Sequence, residues 1–323
     1  MHGGQWTADT DWRACPARGD PVTDDSKAAT PDATSTTSTS RRTIALVVVA
    51  VLVVAGVVIG IVASRHSTPS SSSMHSGTVV VLYAGSFSDL MSQKVDPAFH
   101  AATGYTVTGV SNGSTALATE IKGGIEVGDV FISASPKADA ALAGATNGNW
   151  VSSYSEFGKS RLVLAYNPSS SFAAALTTQP WYSVIDRAGF RLGRTDPMTD
   201  PKGVLAVKAL DETAAAHHLP ALAALATSGA NVFPETSLVG QLQAGQLDAG
   251  FFYAVEASAA KLKTVPLTGT TLAAKYTIAK LRGAPHSAAA LAFIAYMLSP
   301  AGQRILSDSG VTPVVPAVQH SEP

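Results

Sequence analysis

From residue 77 onward, short apolar runs alternate with segments whose apolar positions recur at helical spacing. Three of these runs predict strands that are buried on both faces, at Thr78–Tyr83, Thr106–Val110 and Asp129–Ser133. Helical patterns follow the first two strands, around 87–103 and over 114–123. Such strands, separated by helices, are typical of an α/β fold with a mostly parallel sheet between helical layers.

The same alternation continues toward the C-terminus. Arg161–Tyr166 is a further apolar strand, and a second α/β section extends to about residue 260. An amphipathic helix is predicted over Ser287–Leu298, with an apolar side formed by Leu291, Ile294, Ala295 and Leu298. Two successive α/β sections predict two sub-domains with a cleft between them.

A different pattern precedes the globular part. Residues 1–42 are polar and lack apolar periodicity, which predicts a disordered tail. Residues 43–63 are apolar and uncharged, and a helix of that length at about 1.5 Å per residue crosses a bilayer core. We predict an uncleaved transmembrane signal anchor there, with a cleaved signal peptide as the alternative. Residues 64–76 form a Ser-rich linker to a globular domain at 77–317.

The charges that flank the apolar segment predict its orientation. Arg41 and Arg42 precede it, whereas Arg65 alone follows it directly. By the positive-inside rule, the tail lies in the cytoplasm and the globular part lies outside. The predicted location is therefore the cell membrane, with a single span and an extracytoplasmic globular domain.

Charge and motif content narrow the function classes. The chain has 22 Lys+Arg against 23 Asp+Glu and no basic stripe, which argues against a nucleic-acid partner. Cys15 is the only cysteine, so an internal disulfide and a cysteine-rich zinc site are excluded. Nucleophile-elbow, zinc-protease and P-loop motifs are absent from the sequence. We therefore expect a protein without a cofactor that is not an enzyme.

Two Gly-Ser corners are the first group of candidate binding residues. Ala84–Ser88 and Ser111–Thr115 each follow a predicted strand and precede a helical pattern. Backbone N–H groups and hydroxyls at such a corner can hold an anion without a full positive charge. Ser86 and Ser114 are the candidate donors, although small and hydroxyl residues are also ordinary helix caps.

Two acidic residues later in the chain form the second group of candidate site residues. Asp200 precedes the helical run Val204–Leu210, and Glu235 precedes another at 238–244. Either carboxylate is a candidate ligand for a small solute, but Asp200 also suits an N-cap, and Glu235 suits a first helical turn. Arg194 is expected to pair with Asp196 in the preceding turn, with neutralisation of the site as the alternative.

Several motifs together resemble the extracytoplasmic solute-binding proteins of ABC transporters. They are Ala-Gly-Ser-Phe-Ser at 84–88, Gly-Ser at 113–114, Asp-Val-Phe-Ile-Ser-Ala at 129–134, Gln-Ala-Gly-Gln-Leu-Asp-Ala-Gly-Phe-Phe-Tyr at 243–253 and Phe-Ile-Ala-Tyr-Met-Leu-Ser-Pro-Ala-Gly-Gln at 293–303. The likeness is greatest to the molybdate/tungstate-binding branch and covers 77–315.

The resemblance implies a bilobed type II periplasmic-binding-protein fold with two hinge crossings, near 160–166 and 262–276. The first lobe would comprise about 77–162 and 270–317, and the second about 163–269. It also implies a small oxyanion as ligand and an ABC permease as partner.

Residue by residue, the resemblance implies that Asp200 and Glu235 bind the metal centre of the oxyanion and that Tyr253 contacts one of its oxygens. Ser86 and Ser114 would donate hydrogen bonds from the first lobe. Lys202 departs from the family pattern, in which a cysteine often follows the Asp-Pro pair.

The carboxylates also bear on which anion binds. A carboxylate repels a dianion unless something compensates. Molybdenum(VI) and tungsten(VI) accept two further oxygen ligands, whereas the sulfur of sulfate does not, so two carboxylates favour molybdate or tungstate. A protonated carboxyl could instead donate to a protonated oxyanion such as hydrogen phosphate. The alternatives are therefore a receptor for sulfate, phosphate or another small solute, and a membrane-anchored solute sensor.

Overall fold

The computed structural model describes residues 76–321. The predicted tail at 1–42, the predicted membrane span at 43–63 and nearly all of the linker lie outside the described residues. Within the described part, no single helix is long and apolar enough to cross a bilayer.

The strands of the described part are β1 (Thr78–Ala84), β2 (Thr106–Asn112), β3 (Val130–Ser133), β4 (Val151–Tyr166), β5 (Leu192–Thr195), β6 (Val232–Phe233), β7 (Ala249–Tyr253), β8 (Lys263–Pro266), β9 (Ala273–Leu281) and β10 (Thr312–Ser321). The α-helices are α1 (Ser88–Leu90), α2 (Asp96–Thr103), α3 (Ser114–Lys122), α4 (Pro136–Ala140), α5 (Ala173–Thr178), α6 (Trp181–Ile185), α7 (Pro201–His217), α8 (Pro220–Thr227), α9 (Leu238–Gln243), α10 (Ala254–Ala259), α11 (Ser287–Leu298) and α12 (Pro300–Ser307). Short 3₁₀ or π segments lie at Gly85–Phe87, Met91–Val95, Ala145–Asn147 and Glu235–Ser237.

The strands form a mixed sheet in the order β2-β1-β3-β9-β4-β7-β5-β6, with β8 and β10 also paired to β4. The outer groups β2-β1-β3 and β7-β5-β6 are parallel, as the helix-separated strand pattern predicts. In the middle, β9 is antiparallel to both β3 and β4, and β4 is antiparallel to β7. The prediction of a mostly parallel sheet is therefore correct only for the outer strands.

Strand β4 belongs to two groups of strands. Its residues 151–161 pair with β9, and its residues 162–166 pair with β7. We call β1, β2, β3, β9 and β10, with their following loops and helices, the first half of the molecule. We call β5, β6, β7 and β8, with theirs, the second half.

The core explains why the strands read as continuous apolar runs. In β1 and β3, Val81 and Phe131 are fully buried, and all five residues of β7 are buried. Helices cover both faces of such strands, so no alternation with polar residues is needed.

Helix α11 begins and ends where the sequence predicts, but its buried side differs. The helix buries Ala289, Ala290, Phe293 and Met297, whereas Leu291 is 57% exposed. The predicted apolar side was wrong because the helix is apolar nearly all round, so spacing alone does not select its buried face.

Candidate functional site

Three of the predicted site residues lie at the ends of strands in the second half. Asp200 follows β5 and begins α7, Glu235 follows β6, and Tyr253 is the last residue of β7. These three strands are parallel to one another, so their carboxyl ends meet at one edge of the sheet. Ligands of α/β proteins bind at such an edge.

Asp200 is the N-cap of α7. Its Oδ1 accepts a hydrogen bond of 3.0 Å from the backbone N–H of Lys202, which satisfies one of the free donors at the helix start. Its Oδ2 is buried and has no hydrogen-bond partner among the described residues. One oxygen therefore serves the helix. Burial raises the pKa of this carboxyl, and the hydroxyl of Thr195 also acts on it and opposes that shift.

Glu235 is held by the side chain of Lys202, which is fully buried. The ammonium Nζ donates to Glu235 Oε1 at 3.0 Å and to the two carboxylate oxygens of Glu256 at 2.8 and 2.7 Å. Glu235 Oε2 is buried without a hydrogen-bond partner among the described residues. Glu235 thus resembles Asp200 in having one bound and one free oxygen.

Burial dominates the electrostatics of this cluster. It raises the pKa of Asp200 and Glu256, and it raises the pKa of Glu235 to about 8, although the positive charge of Lys202 opposes each shift. Burial alone would lower the pKa of Lys202, but the charges of Glu235, Glu256 and Asp200 outweigh it and raise this pKa. Lys202 is therefore a permanent cation.

The hydroxyl of Tyr253 is the third unpaired group. Its side chain is fully buried, and its OH has no hydrogen-bond partner among the described residues. Burial, reinforced by the nearby carboxylates, raises the pKa of Tyr253 well above its ordinary value. The phenol is therefore protonated and free to donate to an acceptor such as an oxyanion.

The first half contributes the two Gly-Ser corners. Ser86 follows β1, is buried, and shares a 2.8 Å hydrogen bond between its Oγ and the OH of Tyr276. Ser114 is the first residue of α3, and its Oγ accepts a 3.0 Å hydrogen bond from the backbone N–H of Ala134. Because Ser114 Oγ accepts this bond, its own O–H is free to donate elsewhere.

The glycines of these corners bring the two halves into contact. A Cβ added at Gly85 would overlap Glu235 Oε2, and one added at Gly113 would overlap the carbonyl oxygen of Thr199. That carbonyl also accepts a 3.0 Å hydrogen bond from the backbone N–H of Ala116 in α3. The halves are therefore closed on each other at the site.

A cavity of about 380 Å³ opens beside this contact. It is lined by Gly85, Ser86, Ser88, Asp89, Ser111, Glu235, Thr236, Val239, Gly240, Gln243 and Glu256. A larger, mainly apolar cavity of about 680 Å³ lies along α3, α4, α7 and β9. The smaller cavity includes predicted site residues from both halves.

The structure thus brings the five predicted site residues to the interface between the halves, and of these five only Ser86 and Glu235 line the smaller cavity. The sequence reasoning did not assign Glu256 or Tyr276, and it noted Lys202 only as a departure from a family pattern. Lys202 has a sequence signal, since it stands two residues after the capping Asp200; the contact with Glu256 spans 54 positions and has none.

Arg194 takes a different role from the predicted one. Its guanidinium donates to the backbone carbonyls of Thr195, Ala226 and Ser228 at 3.2, 3.2 and 2.7 Å. Arg194 therefore ties β5 to the end of α8. The carboxylate of Asp196 accepts from the backbone N–H of Met198. Burial lowers the pKa of Arg194 and the charge of Asp196 opposes that shift, so the two residues interact by charge and not by a hydrogen bond.

Comparison with known families places the chain. A model described as bacterial extracellular solute-binding protein matches residues 79–312. The chain belongs to this family of solute-binding proteins. Its similarity to curated relatives covers a smaller part of the chain than the family model does. One relative is a putative ABC transporter molybdenum-binding protein of Haloferax volcanii. The two chains are 32% identical over 178 residues, which is 54% of this chain and 55% of the relative.

A second relative is the molybdate/tungstate-binding protein WtpA of Pyrococcus abyssi, which is 24% identical over 213 residues, covering 50% of this chain and 62% of the relative. This solute-binding protein therefore spans about half the length of the curated relatives that it matches.

Solved structures support the fold. The periplasmic molybdate-binding protein of Azotobacter vinelandii superposes with a TM-score of 0.59 at 20% identity, over 74% of this chain and 99% of the other. The sulfate-binding protein SubI of Mycobacterium tuberculosis gives 0.57 at 17% identity, over 74% and 88%. This solute-binding protein has the α/β periplasmic-binding-protein fold, and that fold is common to receptors of different anions.

Proposed function

We propose that this protein is an extracytoplasmic receptor that binds molybdate or tungstate and delivers it to an ABC permease. One observation carries the proposal: Asp200 Oδ2 and Glu235 Oε2 are buried, unpaired carboxylate oxygens at the interface between the two halves. The printed names of the Haloferax and Pyrococcus relatives support the choice of ligand.

Unpaired buried carboxylate oxygens are costly unless a ligand uses them. A metal centre that accepts two additional oxygens, as molybdenum(VI) and tungsten(VI) do, would bind both carboxylate oxygens at once and so offset the cost of burying them. The phenol of Tyr253 and the hydroxyls of Ser86 and Ser114 would then donate to the oxygens already on the metal. Sulfate offers no such centre, so the repulsion from two ionised carboxylates would remain uncompensated.

A second candidate follows from the raised pKa of Glu235. A neutral carboxyl can donate a hydrogen bond, so the same site could hold sulfate or hydrogen phosphate through donors alone. This candidate needs Glu235 to be protonated, whereas the first needs it ionised. The two are therefore separated by anion preference and by pH.

We expect the full-length protein, purified in mild detergent and freed of bound anion, to bind tungstate and molybdate at least about a hundredfold more tightly than sulfate or phosphate, a difference of about 2.7 kcal/mol. Titration calorimetry with the four sodium salts measures this. Heat from sulfate or phosphate alone would overturn the first candidate in favour of the second.

Affinity for tungstate is expected to rise with pH up to about 8. The pKa of Glu235 is raised from 4.5 to about 8, so below pH 8 a proton must leave before the carboxylate can bind a metal. The dissociation constant should then grow by up to about tenfold for each pH unit below 8. Calorimetry between pH 7 and pH 9 measures the slope.

The Glu235→Gln variant is the matched control, because it cannot titrate at this position and should show a flatter pH profile. If Glu235 acts as a protonated donor, the wild-type slope reverses, and affinity falls as the pH rises through 8.

The location of the protein belongs to the same proposal. We propose that residues 43–63 anchor the receptor in the cell membrane, with its solute-binding domain on the outer side and its ligand handed to a permease in that membrane. The apolar, uncharged segment and the arginines before it support this orientation.

A further inference from the structure

Lys202 contacts both carboxylates that are proposed to bind the anion. Its backbone N–H donates to Asp200 Oδ1 at 3.0 Å, and its side-chain Nζ donates to Glu235 Oε1, also at 3.0 Å. In each carboxylate, the oxygen that does not contact Lys202 is the buried, unpaired one. The backbone and the side chain of one residue therefore engage one oxygen of each carboxylate and leave the other without a hydrogen bond.

We propose that Lys202, locked by Glu256, is a positioning residue that orients Asp200 and Glu235 for metal coordination and does not itself contact the anion. The inference rests on the proposed molybdate or tungstate site and adds how that site discriminates against other oxyanions.

The surroundings of the ammonium support this role. In this structure Nζ has three oxygens within hydrogen-bond distance, one from Glu235 and two from Glu256. The side chain of Lys202 is fully buried and does not line the smaller cavity, whereas Glu235 and Glu256 do. The two glutamates therefore hold the cation away from an anion in that cavity.

Glu256 is itself fixed by its position in the fold. It lies in the first turn of α10, and its Oε2 lies 3.5 Å from the backbone N–H of Tyr253 at the start of that helix. The side chain is buried, as is that of Lys202. The pair thus forms a buried support beside Glu235, and Glu256 lines the smaller cavity together with Glu235.

The charges explain why a cation is needed there. Asp200, Glu235 and Glu256 would place three carboxylates together, and an arriving dianion would add to their repulsion. Lys202 offsets one of these charges without offering a donor to the ligand. Selectivity for an anion with a coordinating metal centre then remains with the two free carboxylate oxygens.

A double-mutant cycle on the full-length protein tests this role, with tungstate as the probe. Lys202→Met alone leaves Glu235 and Glu256 buried without their counterion and should lower the melting temperature, as removal of one member of a buried pair does. Adding Glu256→Gln removes one of the two unpaired charges and should recover part of the lost melting temperature. We expect tungstate affinity to stay at least about tenfold below wild type in the double variant, because Glu235 has lost its anchor.

Lys208→Met is the matched control, since Lys208 lies on the same helix and forms only an exposed pair with Glu212. It should bind tungstate like the wild type. Recovery of both stability and affinity in the double variant would reduce the pair to a structural role and overturn the inference. Absence of tungstate binding by the wild type would instead overturn the proposed function, and the inference with it.

A second variant keeps the inference testable if the double variant does not fold. Glu256→Gln alone leaves Lys202 in place but removes the negative charge that holds its ammonium. The released cation should attract any oxyanion, so the ratio of tungstate to sulfate affinity is expected to fall at least about tenfold. An unchanged ratio contradicts the role of Glu256 in withholding the cation.

Discussion

Replacing Asp200 by Asn will weaken tungstate binding by at least about tenfold, or about 1.4 kcal/mol, while the fold survives. Asn is as good an N-cap as Asp, so its side-chain oxygen can still accept from the backbone N–H of Lys202. What the substitution removes is the charge on the free oxygen, Oδ2. The loss of affinity therefore reports on coordination and not on the helix.

Calorimetry of the full-length protein measures the affinity, and thermal unfolding without anion measures the fold. Asp196→Asn is the matched control, because Asp196 lies in the same turn and its carboxylate accepts from the backbone N–H of Met198. An Asp200→Asn variant with wild-type affinity for tungstate would remove this carboxylate from the site.

The Glu235→Gln variant tests coordination by the second carboxylate in the same way. In Glu235→Gln the amide oxygen can still accept from Lys202, while the ligand-facing atom becomes uncharged. A matching loss in both variants is what coordination by two carboxylates requires. With both carboxylates replaced, the cavity beside Gly85 and Ser86 would remain, but the anion would meet only hydrogen-bond donors there.

Much of the fold could be predicted because its strands are buried on both faces. Continuous apolar runs such as β1 and β3 are visible in the sequence, and so is the turn chemistry that starts α7 at Pro201. The antiparallel middle of the sheet has no such local signal, because β4 and β9 pair across more than 100 positions of the chain.

The site residues of each half could be predicted to converge for a related reason. The residues each stand at or shortly after the carboxyl end of a strand; they are Ser86, Ser114, Asp200, Glu235 and Tyr253. Within each half, parallel strands bring those ends together. The two parallel groups run in opposite directions, because three antiparallel pairings separate them, so their meeting at one site has no such sequence signal. The buried residues that hold these site residues in place could not be predicted. A buried lysine bound to two glutamates depends on side chains from α7, α10 and the loop after β6, which only the folded chain brings together.

The close contact between the halves is also absent from the sequence pattern. Gly85 and Gly113 look like ordinary corner residues, and their need for a missing Cβ becomes visible only against Glu235 and Thr199. The contact explains why glycine precedes serine at both corners. The serine supplies the hydroxyl, and the glycine allows the opposite half to approach it.

Gly113→Ala is expected to abolish closure and to weaken tungstate binding by at least about a hundredfold. Gly113 has φ −59° and ψ 136°, a conformation that alanine adopts without strain, so the separate halves should fold normally. In the closed form, however, the new Cβ would overlap the carbonyl oxygen of Thr199 and lie 3.1 Å from the Cβ of Asp200. Because the overlap is with backbone, no side-chain rotation relieves it.

Small-angle X-ray scattering of the full-length protein with and without tungstate tests the conformational part of this prediction, and calorimetry tests the affinity. The wild type should become more compact with tungstate, whereas the Gly113→Ala variant should not. Gly229→Ala is the control, since a Cβ there meets no atom within 4 Å. If Gly113→Ala binds and compacts like the wild type, the contact between Gly113 and Thr199 is not part of the bound state, and the anion is held without the closure that this structure shows.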